Sequence, residues 1–536
     1  MSQYTAESFT PAEQEVLRRY FTNLDLPVFA LVNLPEVVKG ALFARYSRTH
    51  LSLRRLFLEE FVDELDVEGD ASIDATMGLA RAEELYRKVF YEYGDDSVAQ
   101  LGGVHLACEQ ASNLLTKILE WGRLMSYLEQ STRYLAYDRR LGGRYRYYRD
   151  PEILASDLGT RYVGDLDRIF DSYATLLPMV QKHFSRLTPR AEGVSDIAYR
   201  QTIRARSFDV VRGMLPAASL SNVGIYGTGQ AYEALLLRMR ANPLPEARAY
   251  SDMMLVELRK VIPSFLRRVD VEDRGVAWSR YLADTRAAVE ELSAELLAET
   301  PTVPVDDVDL VDWDPEAEDK MLAAMLYPHS DLPERQLLNR VRTLSAEERV
   351  RLADTYFGER ANRRHRPGRA LEVPSYGFDI LSDYGAFRDL QRHRMLTLQW
   401  QDLSPAHGYV RPEAVAEAGG EDLYDRAMDR SAALHEDLLE EFPRQAPYAV
   451  AMAFRVRYSM KLNARSALHM IELRSSPAGH PAYRRIVQEM YRRIEEVAGH
   501  SLVARAFRHV DMGEGEQGRL SAEIRTDRLR VGDLGG

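Results

Sequence analysis

Cysteine is almost absent from this chain of 536 residues, and so are long apolar runs. The one cysteine, Cys108, excludes an internal disulfide and any metal site built from several cysteines. We find no apolar run of about 18 residues, so no transmembrane helix is predicted. The first residues lack a basic segment followed by an apolar one, so no signal peptide is expected and a cytoplasmic location is the default.

Positive net charge is also missing, because the formal charge is −12 at pH 7. This balance argues against a general nucleic-acid binder, whose surface would be basic. Residues 139–149 are rich in arginine and tyrosine, which suits either nucleic-acid stacking or a solvated turn, and we favour the turn. No cluster has metal-ligand spacing, so no metal is expected. Local arginine clusters on an acidic chain point instead to a small anionic ligand.

Composition and the position of a proline-containing acidic segment predict a globular chain with more than one domain. Hydrophobic residues make up 45% and charged residues 28% of the sequence. Residues 299–318 are acidic and interrupted by proline, so we predict a linker there, with one domain over 1–298 and another over 319–536. Most of the periodicity is helical, and it predicts helices over residues 71–93, 157–187 and 422–442. It also places Cys108 in an apolar helix and residues 459–473 in another. The tail, residues 511–536, is polar and predicted to be mobile. Apolar and polar residues alternate over 376–384, which predicts a strand there.

Two stretches rich in arginine stand out, at residues 121–134 and 391–400. The first contains Arg123, Glu129, Ser131 and Arg133, and the second begins with the triplet 392–394. Guanidinium groups are natural partners of phosphate and carboxylate oxygens. Each stretch is followed by a long helical run, a helix ending in Leu-Arg, a proline-containing loop and an amphipathic helix. The shared order indicates an internal repeat with a duplicated anion site.

The two stretches resemble the signature of the flavin-dependent thymidylate synthase family. That signature reads Arg-His-Arg, two residues, Ser, then Asn-Glu, one residue, Ser, one residue, Arg-Tyr. The first half matches from the last arginine onward, but Trp121-Gly122 replaces Arg-His. The second half keeps the triplet whole, but Trp400, Asp402 and Ser404 replace the later positions. Each half therefore keeps roughly what the other has lost.

A second family region is similar as well. Asn463-Ala-Arg465-Ser and Leu473-Arg474 match it in the second half, and His480 matches if two extra loop residues are allowed. In the first half Leu237-Arg238 matches, together with an Arg212-x-x-Leu-Pro element that the second half lacks. The flavin-contacting His and Glu upstream of the family's triplet are matched more weakly, by His365 and Glu372.

The resemblance implies a helix-rich α+β fold made of two tandem copies of the flavin-dependent thymidylate synthase fold, with antiparallel sheets. It also implies reductive methylation of dUMP to dTMP, with FAD as cofactor, NADPH as reductant and methylenetetrahydrofolate as co-substrate. Sites in this family form between subunits of a homotetramer. A fused chain is then expected to form a homodimer that acts as a pseudo-tetramer, with composite sites between the two halves.

The same resemblance gives candidate residues. Arg238 and Arg474 are the expected catalytic arginines. The expected dUMP contacts are Arg123, Glu129, Ser131, Arg133, Arg212 and Arg238. The expected FAD contacts are His365, Glu372, Arg392, His393, Arg394, Asn463, Arg465, His469, Arg474 and His480. Cys108 and His105 are expected to be structural.

Two other functions stay open on the sequence alone. A degenerate paralogue would bind flavin or nucleotide without making dTMP, because Asp402 stands where a family phosphate contact is expected and a carboxylate repels phosphate. A purely structural protein would keep the scaffold for oligomerisation and bind no ligand, which leaves the retained arginines unexplained.

Overall fold

The structure is a computed structural model that describes residues 7–25, 29–46, 49, 51–62, 100–190 and 194–513. Its elements confirm a helix-rich α+β chain with antiparallel sheets. The predicted helix at 71–93 and most of the predicted mobile tail at 511–536 lie outside the described residues. Among the described helices, none combines the length and the apolar character needed to cross a membrane.

The described helices are, in chain order, α1 (Pro11–Tyr20), α2 (Glu36–Tyr46), α3 (Leu53–Glu60), α4 (Asn113–Leu119), α5 (Pro151–Ala155), α6 (Gly159–Leu187), α7 (Asp196–Val211), α8 (Gly229–Arg240), α9 (Pro245–Arg259), α10 (Ala277–Leu297), α11 (Ala317–Leu326), α12 (Glu334–Arg342), α13 (Ala346–Phe357), α14 (Tyr384–Gln391), α15 (Glu413–Glu417), α16 (Glu421–Glu441), α17 (Ala464–Arg474), α18 (Pro481–Glu496) and α19 (Ser501–Ala504). The described strands are β1 (Gly103–Ser112), β2 (Met125–Glu129), β3 (Leu220–Thr228), β4 (Val308–Trp313), β5 (Ser375–Asp383), β6 (Thr397–Trp400) and β7 (Arg455–Asn463).

The chain forms two compact units, each made of several segments, and one boundary between them, at residues 300 and 301, lies within the predicted linker at 299–318. The first unit contains residues 1–109, 122–129 and 222–300, and the second contains 110–121, 130–221 and 301–536. The predicted linker itself includes β4, which pairs antiparallel with β5. Its alternating residues explain the difference, because Val308 and Leu310 are buried while the aspartates between and after them face outward.

The first unit is organised on a three-stranded sheet in the order β1-β3-β2. Met125 pairs with Gly227 and Glu129 with Val223 in the antiparallel register of β2 and β3. Cys108 lies in β1, so its predicted place in an apolar helix was wrong. Cys108 is nevertheless buried, and burial raises the pKa of its thiol to about 12, which fits the predicted structural role. The ring of His105 packs against that of Tyr226 at a tilt of 38°, with ring centroids 4.5 Å apart.

The second unit combines a four-stranded antiparallel sheet, in the order β4-β5-β7-β6, with long helices. Packing of α6 against α7 and α16 buries an apolar face that includes Ile169, Phe170 and Leu176. Residues 459–463 extend β7 rather than starting a helix, and this corrects the helix predicted over 459–473. Asn463 then caps α17 by accepting a hydrogen bond from the Ser466 N–H at 2.9 Å. Strand and helix therefore meet at one residue.

Residues 139–149 of the second unit do not form the solvated turn that the sequence analysis favours, because part of this segment packs into the core. Tyr145 and Tyr147 are buried, with Tyr145 stacked on Phe170 at 5.1 Å between ring centroids. Arg140 lies over the Tyr145 ring and Arg149 over the Tyr147 ring, at 4.6 and 4.0 Å. These arginines pack on the protein's own tyrosines through cation–π contacts.

Candidate functional site

The candidate site of the second unit is built at the carboxyl end of α14. Asp383 caps this helix by accepting a hydrogen bond from the Ala386 N–H at 2.9 Å. The predicted triplet of Arg392, His393 and Arg394 follows directly after the last helical residue. Cationic side chains are favourable there, because the carboxyl end of a helix carries partial negative charge. The cap and the helix together fix where the triplet lies.

Asp389, one turn before the triplet, lies among arginines from both halves of the sequence. Arg212 donates from Nη1 to Asp389 Oδ2 at 3.0 Å, and both side chains are at least nine-tenths buried. Burial alone raises the pKa of Asp389. The positive charges of Arg212, Arg392, Arg474 and Arg133 outweigh burial and hold that pKa well below its usual range. Asp389 is therefore a carboxylate at neutral pH.

Arg133 is held by partners within the second unit. It donates from Nε and Nη2 to both oxygens of Asp209 at 2.7 and 2.9 Å, and from Nη1 to the Tyr483 hydroxyl at 2.8 Å. A further hydrogen bond reaches the Ala478 carbonyl at 3.2 Å. Burial disfavours its charge, but Asp209 outweighs burial and raises the pKa of Arg133. Ser131 accepts a hydrogen bond from the Arg133 N–H at 3.2 Å, which fixes the turn before it.

Arg474 is arranged differently, because its partner is uncharged. Its Nε donates to His393 Nε2 at 3.1 Å, and its guanidinium carbon lies 5.3 Å from the centroid of the Tyr483 ring. Burial, followed by the charge of Arg474, lowers the pKa of His393 well below its usual range, so His393 is neutral and accepts. Neither Nη group of Arg474 has a hydrogen-bond partner among the described residues, so both can donate to a ligand.

A second histidine extends this arrangement. The ring of His469 lies 5.6 Å from that of His393 between centroids, and Arg366 lies 3.2 Å from His469 Nδ1. Burial and the charge of Arg366 lower the pKa of His469. Arg394 is exposed and makes no ion pair within the described residues. We call these five residues, Arg366, His393, Arg394, His469 and Arg474, the histidine–arginine patch, and its donors suit the pyrophosphate of a dinucleotide.

The charges around Asp389 leave a positive excess. Four guanidinium groups, those of Arg133, Arg212, Arg392 and Arg474, face the carboxylates of Asp389 and Asp209. These six side chains carry four positive and two negative charges, an excess of two. Asp383 and Arg485, which interact with the same group, add one acidic and one basic side chain. A phosphate monoester carries about two negative charges at pH 7. We call these six residues the arginine–aspartate cluster, and its balance suits a nucleoside monophosphate.

His480 is occupied within the protein. Its Nδ1 accepts from the Ala482 N–H at 3.1 Å and so caps α18. The other nitrogen, Nε2, therefore carries the proton and donates to the Asp209 carbonyl at 3.0 Å. Burial is the main cause that lowers the pKa of His480 to about 3. In this geometry neither ring nitrogen is available to flavin, although flavin contact is what the resemblance predicts for His480.

The remaining flavin candidates lie at the start of α17 and in the loop before β5. Arg465 donates to Glu372 at 3.1 Å and to the Pro367 carbonyl at 3.0 Å. Asn463 is the helix cap described above. His365 is exposed, and its ring lies within hydrogen-bonding distance of the Asn362 side chain, at 3.3 Å. These residues define a loop held by ion pairs rather than an open set of donors.

Three of the nucleotide candidates belong to the first unit. Arg123 is exposed, Glu129 is buried at the end of β2, and Arg238 lies on α8 with its pKa lowered by burial. A Cβ atom on Gly122 would lie 3.5 Å from Arg238 Nη2. Gly122 takes the place of the triplet histidine in the resemblance, so this position has no side chain to accept from Arg238, whereas His393 accepts from Arg474.

A cavity of about 490 Å³ adjoins the arginine–aspartate cluster within the second unit. Its lining includes Arg212, Asp383, Gly385, His480 and Arg485, together with apolar side chains. Ligand pockets in proteins typically measure about 300–1,000 Å³. The cavity is thus large enough to hold a small molecule beside Arg212.

Four members of this site were missed from the sequence: Arg366, Asp209, Asp389 and Tyr483. Asp209 and Asp389 are separated from the arginines that they bind by 76 and 177 residues, and Tyr483 is 350 residues from Arg133. The only sequence signal for Asp389 is its place one helical turn before Arg392. The signals for Asp209 and Tyr483 exist only in the folded chain.

The family model described as thymidylate synthase complementing protein matches the chain twice, at residues 45–264 and 309–499. The chain belongs to this family, and it is a tandem, two-domain member of the flavin-dependent thymidylate synthases. The predicted tandem α+β fold is confirmed by the double match. Membership supports a thymidylate synthase-like function of the methyltransferase type.

Three relatives match this chain over almost their whole length. A UPF0159 protein of Chlamydia pneumoniae is 39% identical over 97% of this chain and 98% of its own length. A UPF0159 protein of Chlamydia muridarum is 38% identical over 96% and 98%. One from Thermoplasma acidophilum is 30% identical over 91% and 98%. The tandem arrangement is therefore shared across these relatives.

Among solved structures, a UMP/dUMP methylase from Streptomyces cacaoi bound with 5-bromo-dUMP is similar to part of the chain. The match covers 40% of this chain and 95% of the methylase, with 16% identity and a TM-score of 0.30. A similarity of this size supports no inference about the present chain.

Proposed function

We propose that the chain is a flavin-dependent thymidylate synthase that converts dUMP to dTMP, with methylenetetrahydrofolate as the methylene donor and NADPH as the reductant. The observation that carries the proposal is the meeting of both sequence halves around Asp389. Arg133 and Arg212 come from the first half, and Arg392, His393 and Arg474 come from the second. A composite site of this kind is what two partly degraded copies need in order to work together.

The histidine–arginine patch is the proposed binding place for FAD. Arg366, Arg394 and Arg474 have no carboxylate partner among the described residues, so an anionic pyrophosphate is a favourable partner for them. His393 and His469 are neutral and add hydrogen-bonding groups without adding charge. When bound, FAD supplies the hydride chemistry of the reaction.

The arginine–aspartate cluster is the proposed binding place for the nucleotide. Its excess of positive charge suits the phosphate of dUMP, and it shares Arg474 with the histidine–arginine patch. The unpaired Nη groups of Arg474 are oriented by His393 and by the Tyr483 ring. A fixed cation beside the pyrimidine stabilises negative charge that develops on the ring during methylation.

Flavin content tests the proposal through Arg474. The wild-type protein should be yellow or become yellow when FAD is added, and Arg474→Ala should weaken FAD binding at least about tenfold, since a charge-assisted hydrogen bond contributes about 1.5–3 kcal/mol. Arg492→Ala is the matched control, because Arg492 lies on α18, pairs with Glu489 and is exposed. A protein that binds no FAD under any condition would refute the proposal.

A degenerate paralogue is the second candidate, and one observation favours it. Four of the five N–H donors of Arg133 are already used by Asp209, Tyr483 and Ala478, so a nucleotide phosphate that binds Arg133 through more than one hydrogen bond would have to displace internal partners. Flavin binding and reduction by NADPH without dTMP formation would support this alternative over the synthase.

A further inference from the structure

A buried ion pair connects two parts of the histidine–arginine patch in the second unit. Arg360 follows α13, and Glu472 lies on α17 between His469 and Arg474 of the patch. The two paired side chains are 2% and 1% exposed. The guanidinium group donates from Nη1 and Nη2 to the two carboxylate oxygens at 2.7 and 2.6 Å. Pairing at two points fixes direction as well as distance. We call Arg360 and Glu472 the buried clamp.

Further hydrogen bonds tie the buried clamp to two more segments of the chain. Arg360 Nε donates to the His365 carbonyl in the loop before β5, and Arg360 Nη1 also donates to the Ala506 carbonyl. Glu472 Oε1 accepts a further hydrogen bond from the His509 N–H at 3.1 Å. The clamp therefore holds the loop, α17 and the C-terminal segment in one arrangement.

The loop that the clamp holds carries Arg366 of the patch. The carbonyl before Arg366 is that of His365, which Arg360 binds. The carbonyl after it is that of Pro367, which accepts a hydrogen bond from Arg465 Nε at 3.0 Å. Both carbonyls are thereby tied to α17, the first through the clamp and the second directly. The backbone at Arg366 is therefore held from both sides.

The contact between Arg366 and α17 depends on this backbone. Arg366 Nη2 lies 3.2 Å from Nδ1 of His469, which is one helical turn before Glu472. No carboxylate among the described residues pairs with Arg366, so no ion pair keeps its guanidinium group in place. A shift of the loop would therefore move one cation of the patch relative to Arg474.

Stability alone does not account for a buried ion pair. Removal of two charges from water costs about as much as their attraction returns, and apolar residues of similar volume are often as stable in their place. In some proteins a buried polar pair instead specifies one arrangement of the chain. The hydrogen bonds of the clamp to the loop and to the C-terminal segment fit that role.

We propose that Arg360 and Glu472 are positioning residues, which hold Arg366 in place beside α17 so that the histidine–arginine patch keeps the spacing that FAD requires. The inference rests on the proposed function, because that function assigns the patch to FAD. Arg360 and Glu472 are themselves buried, so they act on the cofactor only through Arg366.

The double variant Arg360→Met with Glu472→Leu tests the proposal in the full-length protein. It removes both charges and keeps apolar volume, so its free energy of unfolding should stay near that of the wild type. Its affinity for FAD should nevertheless fall at least about tenfold, because the pyrophosphate loses a well-placed charged donor. Wild-type FAD affinity in this variant would overturn the proposal.

A double-mutant cycle shows whether the clamp acts through Arg366. Arg366→Ala alone should weaken FAD binding at least about tenfold. The clamp substitutions, added to Arg366→Ala, should then cost little more, because residues that act through one shared contact are not additive. Fully additive losses would show a general structural effect of the clamp and would contradict the positioning role.

The matched control is the double variant Asp354→Asn with Arg505→Gln. Arg505 donates to Asp354 at 3.0 Å and so joins α13 to the C-terminal segment, as the clamp does, but this pair is exposed and has no hydrogen bond to the patch within the described residues. This variant should keep wild-type FAD affinity. An equal loss of affinity in the control and in the clamp variant would remove the special role of the clamp.

Arg360→Lys replaces the double variant if the latter does not fold. Lysine keeps a positive charge beside Glu472 but lacks the planar fork that also reaches the His365 carbonyl. FAD affinity should therefore fall in Arg360→Lys as well. Unchanged affinity in this folded variant would speak against the clamp just as clearly.

Hydrogen exchange followed by mass spectrometry separates this proposal from the proposed function. Amides of residues 361–367 should exchange faster in Arg360→Met with Glu472→Leu than in the wild type, and they should keep the wild-type rate in the control. Equal exchange in all three proteins would overturn the positioning role whether or not FAD binds. A wild type that binds no FAD would refute the proposed function, and the exchange rates would still decide whether the clamp holds the loop.

Discussion

At the residue scale, the ion pair between Arg133 and Asp209 is expected to hold the site together. Both side chains are mostly buried, at 11% and 6% exposure. Removal of one partner leaves the other charge buried and unpaired. We predict that Arg133→Ala lowers the free energy of unfolding by about 3–5 kcal/mol, measured by urea denaturation.

The matched comparison is the double variant Arg133→Met with Asp209→Leu, which removes both charges while keeping apolar volume. Its unfolding free energy should lie closer to the wild type than that of Arg133→Ala, since replacement of a whole buried pair is often tolerated. A loss below about 1 kcal/mol in Arg133→Ala, the range of an exposed pair, would show that the pair is not buried in solution.

A second prediction at the residue scale concerns His480 and the way in which stability depends on pH. The fold lowers its pKa to about 3, so it stays neutral when folded but takes up a proton when unfolded at acid pH. The contribution of His480 to the free energy of unfolding is complete above about pH 6.5, the ordinary histidine pKa. It is lost as pH falls toward 3.

Thermal unfolding should therefore show that His480→Gln loses less stability between pH 7 and pH 5 than the wild type loses. The difference in slope is at most about 1.4 kcal/mol per pH unit. His329→Gln is the control, because His329 is exposed, and it should keep the wild-type profile. Identical slopes for His480→Gln and wild type would contradict the buried, neutral histidine.

Sequence spacing identified the arginines of the site but not their counter-ions. Arg392, His393 and Arg474 stand at family positions and do lie together in the second unit. Asp209 reaches Arg133, and Asp389 reaches Arg212, only through tertiary packing, which a spacing pattern does not encode. The contribution of each predicted residue to ligand binding stays a prediction.

At the scale of elements, α14 positions the triplet, and its cap is the expected point of control. Asp383→Ala should remove the hydrogen bond to the Ala386 N–H and cost about 1 kcal/mol of stability. FAD affinity should fall as well, because the triplet follows the carboxyl end of this helix. Asp383→Asn keeps a good capping group and should retain both properties. Equal FAD affinity in the alanine and asparagine variants would show that the cap does not position the triplet.

Helices and strands were predictable from the sequence where apolar residues recur with only one of the two periods, that of a helix or that of a strand. The long helices α6 and α16 and the strand β5 agree with the predicted segments 157–187, 422–442 and 376–384. Cys108 was misassigned because β1 contains short apolar residues that fit either period. Residues 459–463 were misassigned because a strand runs directly into a helix at Asn463, with no turn between them.

At the scale of the whole molecule, the two copies are expected to divide their roles. The second copy keeps His393 as an acceptor for Arg474, while the first has Gly122 at the matching place beside Arg238. We therefore predict one FAD per chain, measured by absorbance after saturation and removal of free flavin. Two FAD per chain would show that the first copy retains a flavin site of its own.

The most direct test of the account is release of tritium from dUMP labelled at carbon 5, because methylation at that carbon must displace the label. FAD-loaded protein supplied with methylenetetrahydrofolate and NADPH should release tritium, and Arg474→Ala should release at least tenfold less. No release from wild-type protein that has bound and reduced its flavin would contradict the central claim that this chain makes dTMP.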